Sequence, residues 1–390
     1  MHLNTLNFIK TLLFGILIAV LYLFFVGCAE KNEDVLETHS LEKKTIPFDF
    51  AQNVKVDSFS GGWLLEILSE RWLLLDKKKG NASIPKEWEA LPTIKVPVER
   101  AVILSTSYLG YMLYLGVQEK IVGISEKKYI ADTAFYRYVE DQNIPSLGNG
   151  ALLSLERLYS LKPDLVMTFS TGEAKHNDFT RMKSLKIPVI LMAEWNEVSP
   201  LAKAEWIKVF GILFGRLPLA DSLFEESARA YQKRSAQVLA QPDSLKPKVL
   251  VGGPIGGVWY APKSGSYTAR LIADAGGKYV WSSRRATDWL QFSLEEALLE
   301  GKNADIWIHP SNFTSREGIL MNEKRIDLLN AWQANRVFQL DNRIGPEGGL
   351  DFYEGAVVRP ELVLEDLIKV FYPHLFEDSV MRWYRKVYIF

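Results

Sequence analysis

Hydrophobic and polar positions change rhythm three times along the chain. Residues 11–27, TLLFGILIAVLYLFFVG, form an almost unbroken apolar run, and a charged, weakly patterned stretch follows to about residue 46. Residues 47–98 carry short apolar runs such as WLLEIL and WLLLD, broken by Gly-Gly, KKKGN and prolines. Short runs bounded by turn formers predict strands and hairpins. From Glu99 onward strand-like runs alternate with helical stretches: AVILST at 101–106, IVGI at 121–124, LVMT at 165–168 and VILM at 189–192. Such alternation predicts a parallel sheet with crossover helices. One helical segment then runs from about Pro200 to Phe214, and a second begins near Pro218. In the second, Phe224, Ala228, Tyr231, Ser235 and Val238 step by four and three and gather apolar or small residues on one face. No Gly or Pro interrupts it, so it should be a stiff rod of about 30 Å or more. The strand–helix texture resumes with KVLVGG at 248–253, DIWIH at 305–309 and RVFQLD at 336–341; GGPIGG at 252–257 reads as a turn.

The pattern therefore predicts an α/β chain. Two Rossmann-like βα lobes (99–217 and 243–390) are joined by one long rigid helix (218–242). A ligand cleft lies between the lobes, and a small β-rich extension (47–98) precedes them. The halves echo each other. SLERLYSLKPDLVMT begins at Ser154 and SLEEALLEGKNADIWI at Ser293. In each, Ser can cap a helix whose first turn holds Glu, where the helix dipole favours an anion.

Composition changes this picture at the N-terminus. Lys10 precedes the apolar run, and Cys28, the one cysteine of the chain, follows it. A basic start, an apolar core and a small residue before a break describe a secretory signal over residues 1–27. With Gly27 before the break and Cys28 after it, the segment resembles a bacterial lipoprotein signal. That implies acylation of Cys28, a tether at 28–46 and a lipid anchor in the cell envelope. The alternative is an uncleaved membrane helix, for which residues 11–27 would span about 25 Å, the low edge of a bilayer. With its one thiol given to lipid, an exported chain has no disulfides and rests on core packing. The net charge of −1 gives no sign of a nucleic-acid partner. His2, His39, His176, His309 and His374 form no i,i+4 pair, and no HExxH, GxSxG or GxxxxGK[ST] occurs. A free Zn or Mn ion would want three or four His, Asp or Glu ligands, which these scattered histidines do not offer.

In order, several segments resemble the substrate-binding lipoproteins of iron-siderophore, haem and cobalamin ABC importers, from about Pro97 to Pro373. They are ERAVILSTSYLGYMLYLGVQEKIVGIS, LGNGALLSLERLYSLKPDLVMT, LKIPVILM, the long helix, WYAPKSGSYTARLIADAGGKYVW, SLEEALLEGKNADIWI and DFYEGAVVRPELVLEDLIKVFYPHLF. The resemblance implies a binding module without catalysis and without a cofactor of its own. It implies a monomer that takes a small-molecule metal chelate or corrinoid and delivers it to ABC permease and ATPase subunits. Residues 47–98 lie outside the pattern.

A flat chelate wants aromatic faces and a few polar anchors, and crevices form at strand carboxyl ends. The candidate lining is therefore Ser107 and Tyr108, Phe169 (with Ser170), Trp195, and Trp259 with Tyr260. Tyr267 and Arg270 are candidates to hold a carboxylate, Arg through a bidentate pair. By resemblance, Trp289 matches an aromatic cleft position and Asp351 an acidic one, while Glu156 and Glu295, with Glu296 as fallback, match permease-docking acids. His309, at a strand end, reads as hydrogen-bonded structure or as an iron or cobalt ligand. Rival readings are a haem-binding or ligand-sensing lipoprotein, and a surface hydrolase built on Asp351 and Glu354. A hydrolase predicts a deep carboxylate pair with shifted pKa.

Overall fold

The computed structural model describes residues 44–80, 84–148, 152–169, 173–375 and 380–388, the side chains of 173–178 excepted. The signal segment, Cys28, Ser170 and most of the tether lie outside them. Strands β1 (Lys44–Ile46), β2 (Val54–Phe59), β3 (Gly62–Ile67), β4 (Glu70–Asp76) and β5 (Thr93–Val96) form a sheet in chain order, antiparallel except for the parallel β4–β5 pair. Alternation sets its buried face: Val56, Leu65, Ile67, Trp72 and Leu74 are all in the core. The predicted tether ends three residues early, because Thr45 donates to Asp57 (2.8 Å) and pulls 44–46 into the sheet.

The first lobe contains β6 (Ala101–Ile103), α1 (Thr106–Leu115), β7 (Ile121–Ile124), α2 (Thr133–Asp141), α3 (Leu155–Ser160), β8 (Leu165–Phe169), α4 (Glu173–Ser184) and β9 (Val189–Met192). Its sheet is parallel in the order β7-β6-β8-β9, so strand order reverses at β6 and opens a crevice at the strands' carboxyl ends. Trp72 covers the outer edge of β9 by donating its indole N–H to the Val189 carbonyl (2.9 Å).

The segment predicted as one helix from Pro200 to Phe214 is two, α5 (Pro200–Glu205) and α6 (Ile207–Leu213). The connecting helix α7 spans Leu217–Leu239 and buries Phe224, Ala228, Tyr231, Ser235 and Val238, the stripe read from the sequence. It stops short of 242 because Gln241 precedes Pro242, and the residue before proline is pushed out of helical geometry.

The second lobe contains β10 (Lys248–Val251), β11 (Gly253–Ile255), β12 (Val258–Ala261), α8 (Tyr267–Asp274), β13 (Lys278–Tyr279), β14 (Leu290–Ser293), α9 (Leu294–Gly301), β15 (Ile306–Ile308), α10 (Arg316–Asn322), α11 (Asn330–Gln333), β16 (Val337–Gln339), α12 (Pro360–Phe371) and β17 (Arg385–Lys386). Its main sheet runs β13-β10-β15-β16-β17, parallel except for β17, and β11-β12-β14 form a small antiparallel sheet. GGPIGG is half of a hairpin: Gly256 and Gly257, at φ 60° and 83°, make the turn, while residues 253–255 pair with 258–260.

The lobes also meet through residues 341–358. Both oxygens of buried Glu354 accept first-lobe amides, Ala131 N–H at 2.9 Å and Asp132 N–H at 2.7 Å. Backbones touch here. A Cβ on Gly110 would lie 2.0 Å from the Glu354 carbonyl, and one on Gly345 2.1 Å from the Ile130 carbonyl.

Candidate ligand cleft

The floor of the cleft begins where β6 ends. Ser105 caps α1, and its hydroxyl lies 2.9 Å from that of Ser107. Ser107 donates in turn to Glu194 Oε1 (2.9 Å). Glu194 sits in the single turn that follows β9, so two strand ends of the first lobe deliver this contact. The other Glu194 oxygen and the Tyr108 hydroxyl are buried and find no hydrogen-bond partner among the described residues. Burial pushes the Glu194 carboxyl above its ordinary range, against the pull of Lys203 and the Ser107 hydroxyl. Burial, then Glu194, pushes the Tyr108 phenol up as well.

Lys203 of α5 completes the floor. Its carbonyl accepts the Tyr111 hydroxyl (2.6 Å), and its ammonium lies 5.7 Å from the centre of the Tyr267 ring, at the start of α8 in the other lobe. Burial pulls the ammonium below the usual lysine range while Glu194 holds it up. Among the described residues it forms no ion pair or hydrogen bond. Lys203 and Tyr267 are both half-buried. A half-buried cation against an aromatic face, with a buried carboxylate behind it, is an anchor for an anionic or π-rich guest.

His309, just after β15, is held by structure. Its Nε2 lies 2.7 Å from the Tyr384 hydroxyl, the two rings stack at 5.4 Å, and burial pulls the imidazole down to about 3, so it is neutral. No group of three or more His, Cys, Asp or Glu that could hold a metal ion occurs among the described residues.

The other sequence-predicted residues divide. Trp195 (42% exposed), in the turn that holds Glu194, and Trp289 (60% exposed), just before β14, are exposed, and Phe169 and Tyr260 are half-buried. Ser107 and Tyr108 lie beneath the floor rather than on it. Three expectations are corrected. Trp259 is wholly buried beside Trp281 and Trp307, and its indole donates to the Val251 carbonyl (3.1 Å); it is a core residue. Arg270 is bound by Asp274 of its own helix (2.9 Å), an acid that also takes the Tyr231 hydroxyl. Asp351 is buried, accepting from Trp383 Nε1 (2.9 Å) and the Gly355 amide (3.1 Å) and ion-paired with Arg343 (3.0 Å).

Asp351 and Glu354 line a cavity of about 250 Å³ beside α1, together with Arg343 and Arg359. Burial pushes Glu354 up to about 7, as a hydrolase acid would need. Yet every oxygen of the pair is committed to an amide, an indole or a guanidinium, which makes them struts across the seam. The two Ser-Leu-Glu motifs fold alike: Ser154 caps α3 and Ser293 caps α9. Glu156 is exposed, and Glu295 is exposed with its carboxylate taking Arg325 Nη1 (2.6 Å). Sequence reading missed Glu194 and Lys203. An acid directly after a strand end, in MAEW, was the available signal for the first; the second had none.

A sequence profile of the periplasmic binding protein family matches residues 102–344. The chain belongs to that family. Its members are solute-binding proteins of ABC transporters and act outside the cytoplasm, not as enzymes. This family member is 21% identical over 376 residues to an uncharacterized lipoprotein of Methanocaldococcus jannaschii, with 92% of this chain and 87% of that one covered. It shares its fold with a periplasmic heme-binding protein from Pseudomonas aeruginosa (19% identity, TM-score 0.53, 71% of this chain and 93% of that one). The same holds for the siderophore-binding protein BauB, solved with two acinetobactin molecules and ferric iron (20% identity, TM-score 0.52, 70% and 90%). The sheet at 44–96 lies outside the matched region.

Proposed function

We propose that this chain is the lipid-anchored substrate-binding protein of an ABC importer, which captures an iron chelate or corrinoid between its lobes and delivers it to a membrane permease. The observation that carries the reading is the cleft floor, where the half-buried Lys203 ammonium meets the Tyr267 ring across the lobes. A chelate with an anionic rim and a π face would neutralise the first and stack on the second. Exposed Trp195 and Trp289 add aromatic surface. The heme and ferric acinetobactin held by relatives of this fold support the ligand class. The lipoprotein relative supports acylation of Cys28 and an envelope location. Glu156 and Glu295, one exposed acid per lobe, are the docking pair for the permease.

The test is equilibrium binding of ferric siderophores, cyanocobalamin and haemin, read by tryptophan quenching. At least one should bind, and Lys203→Ala and Trp289→Ala should each weaken it while folding persists. Binding undiminished in both variants would refute this cleft.

A further inference from the structure

We propose that the N-terminal sheet, which lies outside the matched family region, is a clamp that sets the cleft floor through two buried carboxylates, Glu197 and Glu205. Five successive amides, from Asp49 to Asn53, point at these two side chains. Glu205 takes Asp49 (2.9 Å), Phe50 (2.8 Å) and Ala51 (2.9 Å), and Glu197 takes Gln52 (3.1 Å) and Asn53 (3.0 Å). Lys208 closes the latch, donating to Glu205 (3.0 Å) and to the Pro47 carbonyl (2.9 Å). The Trp206 indole also donates to Glu197 (3.0 Å), but the five amides supply most of the charge-assisted bonds that replace the hydration these buried carboxylates lose.

The latch and the floor share one piece of chain. Glu194 faces Ser107, and Glu197, three residues on, faces the segment that joins β1 to β2 of the N-terminal sheet. On α5, Lys203 and Glu205 are two residues apart, about 200° around a helix, so one points to Tyr267 and the other to the β1–β2 connection. Holding Glu205 from outside therefore fixes the azimuth of Lys203 inside. Glu197 and Glu205 are positioning residues. They reach a guest only through Glu194 and Lys203.

The consequence for binding rests on the cleft proposed above, but the test does not. Amide hydrogen exchange on the full, ligand-free chain compares wild type with Glu205→Gln. The amide side chain turns a donor toward backbone N–H groups, so the amides of residues 49–53 should exchange roughly tenfold faster. The clamp predicts matching acceleration at 104–109 and 193–203, with β10 and β15 in the second lobe unchanged. Wild-type protection at 104–109 and 193–203, with or without loosening of 49–53, overturns it. Should Glu205→Gln fail to fold, Glu197→Gln, which leaves the Glu205 contacts intact, is read by the same criterion. Lack of binding by wild type would sink the functional reading alone.

Discussion

Trp259, in the core, and Trp289, a residue of the proposed cleft, make a test of the two assignments. Trp259 is 0% exposed, and a buried tryptophan removes 150–250 Å² from water, about 4–6 kcal/mol at about 25 cal/mol per Å². Trp259→Ala also strands the Val251 carbonyl that accepts its indole, about 1 kcal/mol more. Partial collapse of the cavity brings the expected loss to about 3–5 kcal/mol, much of the stability of an ordinary domain. Trp289, 60% exposed, has at most two fifths of that area to lose, so Trp289→Ala should cost at most about 2.5 kcal/mol in folding. Its loss should fall on binding, where one stacked aromatic is worth about 1 kcal/mol, roughly fivefold in affinity. Urea unfolding followed by far-ultraviolet circular dichroism, beside titration with the chelate that binds wild type, reads both quantities. A Trp259→Ala protein as stable as wild type but defective in binding would refute the core assignment. A Trp289→Ala protein several kcal/mol less stable would refute its place at the cleft.

Burial holds Glu354 near 7 in the folded protein against 4.5 for an ordinary glutamate. A raised acid stabilises the fold fully below its unfolded value, and that contribution fades as pH rises through the folded value. Wild type should therefore lose on the order of 3 kcal/mol relative to Glu354→Gln between about pH 4.5 and pH 7, seen as converging or crossing urea midpoints; a constant difference would contradict the burial argument. Glu156→Arg with Glu295→Arg should abolish uptake in reconstituted vesicles while affinity stays within about twofold. Wild-type uptake would remove the pair as docking acids. Cys28→Ser should cease to take up labelled fatty acid, and normal labelling would refute the lipoprotein signal.

Lobes, connecting helix and N-terminal strands were legible because they are periodic. The apolar stripe at Phe224, Ala228, Tyr231, Ser235 and Val238 is the buried face of α7, and VILM and IVGI are buried strands. Trp259 was misread because GGPIGG hid a hairpin. Once residues 258–261 are a strand, alternate side chains point inward, and Trp259 and Ala261 take that face while Val258 and Tyr260 face out. Ser107 and Tyr108 follow a strand, but a helix begins at once and turns them under the floor. Glu194, Lys203, Glu197 and Glu205 were illegible as a group, and Glu354 was legible only as half of a carboxylate pair, not as a strut between the lobes. Charged residues are ordinarily exposed, and partners distant in sequence help to keep the buried carboxylates inside: Glu354 bonds amides 223 and 222 residues away.

Native mass spectrometry of the protein purified from its own cell envelope tests the central claim most directly. The account predicts a folded chain carrying one non-covalent metal chelate or corrinoid, released on denaturation and diminished in Lys203→Ala. A native mass equal to the polypeptide and its lipid alone, unchanged after incubation with extracts rich in such chelates, would contradict it.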